Sequence, residues 1–358
     1  MHTHLTRAWV EVDLGALLRN AATMAARGAS LIPMIKADAY GLGAVAVARA
    51  LERLDPWGFG VATVDEGRAL RAAGIARPVI VFTPVQGAEL AELRGAKLTP
   101  ILARAGDIAD WRAVGGGAWH LAVDTGMSRC GVRWTAVAEL AAAIAATPPE
   151  GAYTQFHSAE RDDGSVEEQE QRFAQALAAL PARPRLLHAE NSAALARRER
   201  STWALARPGI FLYGVGSGPA ALVTPEPVVS VRARIVSLRT VRAGESVSYD
   251  AAWRAAAERQ IATAAIGYAD GYRRAFSGRG AALVHGRRVS VAGIVTMDMT
   301  MLDVTGVPCA IGDVATFIGR DGDATISVED AAASAELSPY ELLTGLGARP
   351  EHTYRDVA

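Results

Sequence analysis

Up to about Pro225, short apolar runs alternate along the chain with longer, alanine-rich stretches of helical period. The apolar runs fall at residues 31–35, 59–63, 79–82, 98–101, 119–123, 152–156, 186–188 and 203–206. Bounded runs of this length suit strands buried on both faces. Between them, residues 45–54, 65–73, 166–180 and 192–198 have helical spacing and good helix formers. A further helix is expected at 14–27, before the first strand. Strands that each carry a helical partner predict a closed parallel barrel of the (β/α)8 TIM type, with a doubly wound open sheet as the structural rival.

The pattern changes at Thr224-Pro225-Glu226-Pro227. The later runs, 228–241, 260–266, 281–284, 288–302 and 313–318, are β-branched, partly alternating and separated by glycine-rich turns. They predict a mainly antiparallel β domain, with short helices at 328–333 and 339–344. The expected domains are therefore a barrel over 1–225 and a β domain over 226–358. A chain of 358 residues is long for a single core, which agrees with two domains.

Composition narrows the function classes. Half the residues are hydrophobic, 21% are charged, and the formal net charge is −1. There is no global basic surface for nucleic acid or an anionic membrane, so any anion site must be local. Cys130 and Cys309 have no metal spacing and make no disulfide framework, which predicts no metal and a reducing, cytoplasmic setting. Residues 1–10 lack the apolar core of a secretory signal, and the longest apolar run, 136–146, contains Glu139 and is too short to span a bilayer.

In a (β/α)8 barrel, chemistry sits at the C-terminal ends of the strands. The first strand ends in Lys36, the fifth runs into Asp124-Thr125-Gly126-Met127-Ser128-Arg129, and the sixth ends in Gln155-Phe156-His157. The seventh leads to His188-Ala189-Glu190-Asn191-Ser192 and the eighth to Arg207-Pro208-Gly209-Ile210. A lysine at one end and an anion-friendly serine and glycine at the other could hold a phosphorylated aldehyde. Each residue alone also has a plain reading. Lys36 could be an ordinary strand-end lysine, Ser192 a helix N-cap, and Arg207 the partner of a surface carboxylate. The Asp124 segment could be a simple turn, and Tyr268 a β-domain core residue.

Several segments together resemble one family. Ile35-Lys36-Ala37-Asp38-Ala39-Tyr40-Gly41-Leu42-Gly43 resembles the cofactor-lysine motif of alanine racemases, and Asp124-Thr125-Gly126-Met127-Ser128-Arg129-Cys130-Gly131 resembles a second motif of that family. Asn191-Ser192-Ala193-Ala194, Arg207-Pro208-Gly209-Ile210, Tyr213-Gly214, Gly267-Tyr268-Ala269-Asp270-Gly271 and Met297-Asp298 match in order and spacing. The resemblance runs from Trp9 to Arg355 and covers both domains.

The resemblance implies a racemase of alanine that depends on pyridoxal 5′-phosphate and works by two bases. Lys36 would carry the cofactor and serve as one base. Tyr40, Asn191, Ser192, Gly209 and Ile210 would hold the cofactor, the phosphate among them. Arg129 would contact its phenolic oxygen and the substrate, Arg207 its pyridine nitrogen, and Met297 the substrate. Tyr268 would be the second base, supplied by the partner subunit of a homodimer with shared active sites. A small amino acid would be the substrate, and D-alanine for peptidoglycan of the cell wall the product.

Three positions depart from the family's common pattern. Ala122 stands where many members have a lysine that becomes carbamylated and orients the arginine matched by Arg129. Gln155 stands where many have a histidine linking the pyridine arginine to the tyrosine; His157, two residues on, lies on the same strand face and could substitute. Ala348 replaces a tyrosine over the phosphate and substrate methyl group, which would widen the pocket. A racemase of serine or of a broader set of amino acids is thus the first alternative. A barrel-type decarboxylase and a non-catalytic carrier of pyridoxal phosphate are more distant ones, since the Tyr268 segment has no place in either.

Overall fold

The apolar runs of the first part form strands because their residues are buried on both faces, so nothing in them needs to alternate. The computed structural model describes residues 6–355. Strands Phe59–Val61, Val79–Val81, Thr99–Leu102, His120–Asp124, Gly151–Tyr153 and Leu186–His188 pair in that order, each parallel to the next. Leu205–Ala206 pairs in parallel with Ser30–Leu31. Single parallel bridges, Met34 to Gly60 and Asn191 to Arg207, join this pair to the two ends of the row and close the ring. The closed (β/α)8 barrel expected from the pattern is the fold of this unit, which comprises Leu17–Ala39 and Ala44–Glu226.

Inside the ring, successive strands supply Ile32, Ile80, Ile101, Ala122, Tyr153, Leu186 and Leu205 to one packed cluster. Outside it, helices bury one face each. Helix Val64–Ala72 starts at a capping box: the Thr63 side chain accepts from the Glu66 N–H, and the Glu66 carboxylate accepts from Thr63 in return. Helix Ser165–Ala178 buries Val166, Phe173, Ala176 and Leu177, with the Phe173 ring 5.3 Å from Trp203.

The second unit comprises, of the described residues, 6–16, Tyr40–Gly43 and 227–355. Its nine-stranded sheet is built on the 13-residue strand Val229–Val241, whose first half alternates buried and part-exposed positions. This strand pairs antiparallel with Ala8–Asp13, Arg259–Ala264 and Val314–Asp321. One parallel pairing, Ala8–Asp13 with Glu351–Arg355, lies at the edge. The run expected as a single strand at 288–302 is two strands, Arg287–Val291 and Thr300–Asp303. Gly293 explains the break: its φ is +81°, and an added Cβ would lie 2.7 Å from the Ser248 Cβ, so the backbone leaves the sheet there. The short helices are Val328–Ser334 and Pro339–Thr344, each capped by a serine. Among the described residues no helix is long and apolar enough to cross a membrane.

Ile80 is fully buried in the barrel's inner cluster, so Ile80→Ala removes packed methylenes and leaves a cavity. We expect a loss of about 2–5 kcal/mol in urea denaturation. A loss below about 1 kcal/mol would show that the ring interior is not closely packed.

Candidate active site

Lys36 follows the last residues of the first barrel strand, just past the Met34–Gly60 bridge. Its amine is held below the usual lysine range, first by burial and then by the charges of Arg129 and Arg207, while Glu66 opposes the shift. The lowering widens the pH range over which the amine is neutral, the form that is both nucleophile and base.

The chain after Lys36 turns the unfavourable way. Ala37, Asp38, Ala39 and Tyr40 all have φ between 52° and 59°, a left-handed turn without glycine. Each such residue costs about 1–2 kcal/mol, so the turn persists only because its surroundings hold it. Glu66 does much of this: it accepts from Ala37 N–H at 2.7 Å and from Ala62 N–H at 2.7 Å. Asp38 accepts from Ala44 N–H at 2.7 Å, and Ala39 N–H donates to Ile35 O at 2.8 Å.

Arg207, at the end of the eighth strand, is 3% exposed, and no carboxylate lies within ion-pair distance of it among the described residues. One terminal nitrogen donates to His188 Nδ1 at 2.9 Å and His188 O at 2.7 Å. The other donates to Thr154 O at 2.7 Å, Gln155 Oε1 at 3.1 Å and Ala189 O at 3.2 Å. The guanidinium also lies over the Tyr153 ring at 5.1 Å and the Phe82 ring at 5.8 Å. All its partners are neutral, and burial lowers its pKa to about 10, so it is still a cation at neutral pH. Among the described residues its Nε–H has no hydrogen-bond partner.

The histidines behind Arg207 form a directed chain. Because the arginine can only donate, His188 Nδ1 must accept, which leaves the proton on Nε2. That proton is donated to His120 Nδ1 at 2.7 Å, so His120 also carries its proton on Nε2. Both rings are buried and neutral: burial pushes His188 well below the usual histidine range and His120 down to about 3, with the Arg207 charge adding to each.

The loop after the fifth strand presents Arg129. Asp124 Oδ1 accepts from Gly126 N–H at 3.1 Å and Ser128 N–H at 3.0 Å, which folds the loop back, and Val123 and Asp124 bridge to Val132 and Arg133. Arg129 lines a small recess with Val123, Asp124, Met127, Tyr153 and Gln155. Behind it, Ala122 lines a separate cavity of about 230 Å³ with Ile101, Arg104 and Cys130. Gln155 meets Arg207, whereas His157 turns to Ser158 Oγ at 2.7 Å, so His157 does not take the place expected for it beside the arginine.

At the seventh and eighth strands the polar groups converge on backbone N–H donors. Asn191 is the cap of the short helix Ser192–Ala196, accepting from Ala194 N–H at 3.0 Å; the plain reading of Ser192 as the cap does not hold. Ser192 Oγ instead accepts from Gly209 N–H at 2.8 Å and Phe211 N–H at 3.3 Å, which leaves its own O–H to donate. Ile210 opens the turn Ile210–Tyr213 right after Gly209.

The remaining candidates lie in the second unit. Tyr40 is buried, its ring 6.0 Å from that of Tyr340, and burial pushes its phenol up so that it stays protonated. Tyr268 opens the turn Tyr268–Asp270 and is 41% exposed; Met297 is 52% exposed. Their backbones are joined: Tyr268 N–H donates to Thr296 O and Ala269 N–H to Met297 O, both at 3.0 Å. Gly267 makes this possible, since a Cβ there would lie 2.2 Å from Thr296 O. Ala348 is exposed. Residues that the sequence reading did not single out are Glu66, His120 and Thr154. The signal for His120 was its place two residues before Ala122 on one strand face; Glu66 reads only as a capping-box residue.

Comparison with known proteins bears on this arrangement. The model described as alanine racemase, N-terminal domain, matches residues 12–217, and that described as alanine racemase, C-terminal domain, matches 228–354. The chain is 39% identical to an alanine racemase of Deinococcus radiodurans, over 97% of this chain and 99% of that protein. It is 38% identical to one of Sorangium cellulosum, over 90% and 91%. The crystal structure of alanine racemase from Streptomyces lavendulae superposes with a TM-score of 0.91 at 30% identity, covering 99% and 98% of the two chains. That from Bartonella henselae, with covalently bound pyridoxal phosphate, gives 0.90 at 26%, covering 98% and 99%. With both family models matched in order along nearly the whole chain, this protein belongs to the alanine racemase family.

Proposed function

We propose that this protein interconverts L- and D-alanine with pyridoxal 5′-phosphate as its cofactor. The observation that carries the reading is the pairing, at the barrel's strand ends, of an amine lowered by burial and two guanidinium charges with a buried arginine that lacks a carboxylate. These residues fit the cofactor. The free Nε–H of Arg207 suits an aromatic nitrogen acceptor, the spare O–H of Ser192 suits a phosphate oxygen, and the Lys36 amine suits an aldehyde.

Lys36 would anchor the cofactor, with Tyr40, Ser192, Gly209 and Ile210 holding its phosphate, Asn191 also lying against the cofactor, Arg129 holding its phenolic oxygen and Arg207 its ring nitrogen. When bound, pyridoxal phosphate supplies an electron-withdrawing system that acidifies the α-hydrogen of an attached amino acid. Arg207 would donate a hydrogen bond to the ring nitrogen without surrendering a proton, which would leave that nitrogen unprotonated. Lys36 moves a proton at the α-carbon on one face and Tyr268 on the other, while Arg129 and Met297 orient the substrate. Tyr268 and Met297 come from a second copy in a homodimer, a reading supported by how far both side chains protrude into solvent. The setting is the cytoplasm, and the product serves cell-wall peptidoglycan.

The purified enzyme with pyridoxal phosphate should abolish the optical rotation of L-alanine, and borohydride should leave a phosphopyridoxyl group on Lys36. Lys36→Ala should be inactive. A modified peptide containing any other lysine would sink the assignment. Sharing of sites is tested by mixing two inactive proteins, Lys36→Ala and Tyr268→Phe. A mixed dimer has both defects in one site and none in the other, so activity should return toward half per mixed dimer. Verified subunit exchange without activity would refute the shared site.

The amine also makes a pH prediction. Lowering its pKa below the ordinary 10.5 enlarges the neutral fraction at any given pH. Capture of pyridoxal phosphate by the cofactor-free protein should therefore rise with pH and level off below 10.5. Arg129→Gln removes a lowering charge and should move the midpoint up; Glu66→Gln removes the raising charge and should move it down. Absorbance-monitored capture across a pH series reads the midpoint, and shifts of the opposite sign would contradict this electrostatic account.

A further inference from the structure

Beneath Tyr268 lies a knot of charge that no role so far explains. Asp270 closes the tyrosine's turn and is 1% exposed. Its carboxylate accepts from Gly267 N–H at 2.9 Å, from Arg7 at 2.7 Å, and from Arg349 twice, at 2.6 and 2.8 Å. The other side of the Arg349 guanidinium reaches the neighbouring loop, donating to Asp298 Oδ1 at 2.7 Å and Met297 O at 3.2 Å. Arg7 works in parallel, donating to Ala265 O at 3.0 Å and Asp298 O at 3.3 Å. The two arginines arrive from adjacent places, just ahead of the parallel-paired strands Ala8–Asp13 and Glu351–Arg355.

We infer that Arg349 is a positioning residue for Tyr268: one guanidinium clamps the tyrosine's turn, through Asp270, to the Met297 loop. The planar fork matters here. A bidentate grip on Asp270 leaves donors pointing the opposite way, and these are the ones that hold Asp298 and the Met297 carbonyl. The phenol itself is half exposed, so its own packing does not fix it; the backbone of the turn does. That backbone joins the 296–297 segment through two N–H groups, those of Tyr268 and Ala269, and Arg349 supplies the side-chain tie across the same seam. Without Arg349, Asp270 keeps Arg7 and the Gly267 N–H, so the carboxylate is still compensated and the fold survives while the seam loosens. The consequence for catalysis rests on the proposed role of Tyr268 as the base for one substrate face.

The test is Arg349→Met, read in two ways on the cofactor-loaded enzyme. Hydrogen–deuterium exchange at the Tyr268 and Ala269 amides should quicken about tenfold, with strand Arg259–Ala264 unchanged. Washout of the α-hydrogen into solvent should fall about tenfold for L-alanine, the face assigned to Tyr268, and hold within about twofold for D-alanine. Should Arg349→Met fail to fold, Arg349→Lys carries the same test, because a point charge cannot grip both carboxylates and the carbonyl together. Unchanged amide exchange, or equal loss of washout from both enantiomers, overturns the inference. Tyr268→Phe is the control: if it washes out both enantiomers alike, the reading of Tyr268 as a base fails, and the amide exchange alone decides Arg349.

Discussion

The barrel unit depends on one electrostatic constraint: a guanidinium buried at the strand ends whose direct hydrogen-bond partners are all neutral, with the Glu190 carboxylate helping only from beyond contact. Taking such a charge out of water costs several kcal/mol, and carbonyls, an imidazole and aromatic faces recover part of that. Much around Arg207 follows from it. His188 must be neutral and must accept at Nδ1, so His120 behind it is neutral with the same tautomer. Carbonyls of Thr154, His188 and Ala189 must point inward at two strand ends, which the parallel pairing of Gly151–Tyr153 with Leu186–His188 provides. The same field helps keep the Lys36 amine low.

The left-handed turn after Lys36 is the second departure from comfort. Its strain is local, and its restraints are named: Glu66 on Ala37, Asp38 on Ala44, and Ala39 on Ile35. Glu66 thereby links three matters that look unrelated along the chain. It caps helix Val64–Ala72, holds the turn, and offsets the arginines' pull on the Lys36 amine. Glu66 restrains only the first of the four positive-φ residues; Asp38 and Ala39 are tied through Ala44 and Ile35.

How much of this was legible in the chain follows from the range of each interaction. The barrel strands were readable because full burial makes each a bounded apolar run, and Lys36 and Arg207 because strand ends are where a barrel carries polar chemistry. The break in 288–302 was hidden, since Gly293 reads as an ordinary turn glycine until Ser248 is brought against it. The turn after Lys36 gave no sign, because Ala37, Asp38, Ala39 and Tyr40 carry no glycine signature. Alternation puts His157 on the face of Gln155, but the strand ends at Tyr153 and alternation says nothing beyond it, so His157 turns to Ser158 instead. The Asp270 knot joins positions 7, 270, 298 and 349, and no local pattern could connect them.

The two buried charges work in opposite ways. Asp270 meets two arginines and a peptide N–H, and every acceptor direction is taken; a charge so fully answered gains nothing from a ligand and holds a shape. Among the described residues Arg207 has no carboxylate within ion-pair distance and its Nε–H has no hydrogen-bond partner, so an acceptor placed there would gain a charge-assisted hydrogen bond in a low-dielectric setting, where it is worth more than in water. Were the two reversed, with a carboxylate against Arg207, a neutral acceptor brought to that guanidinium would gain less. With only neutral groups around Asp270, the Tyr268 turn would carry an uncompensated buried anion, a loss of about 3–5 kcal/mol. The closed charge therefore ties a backbone turn in place, and the open one keeps a donor for an incoming acceptor.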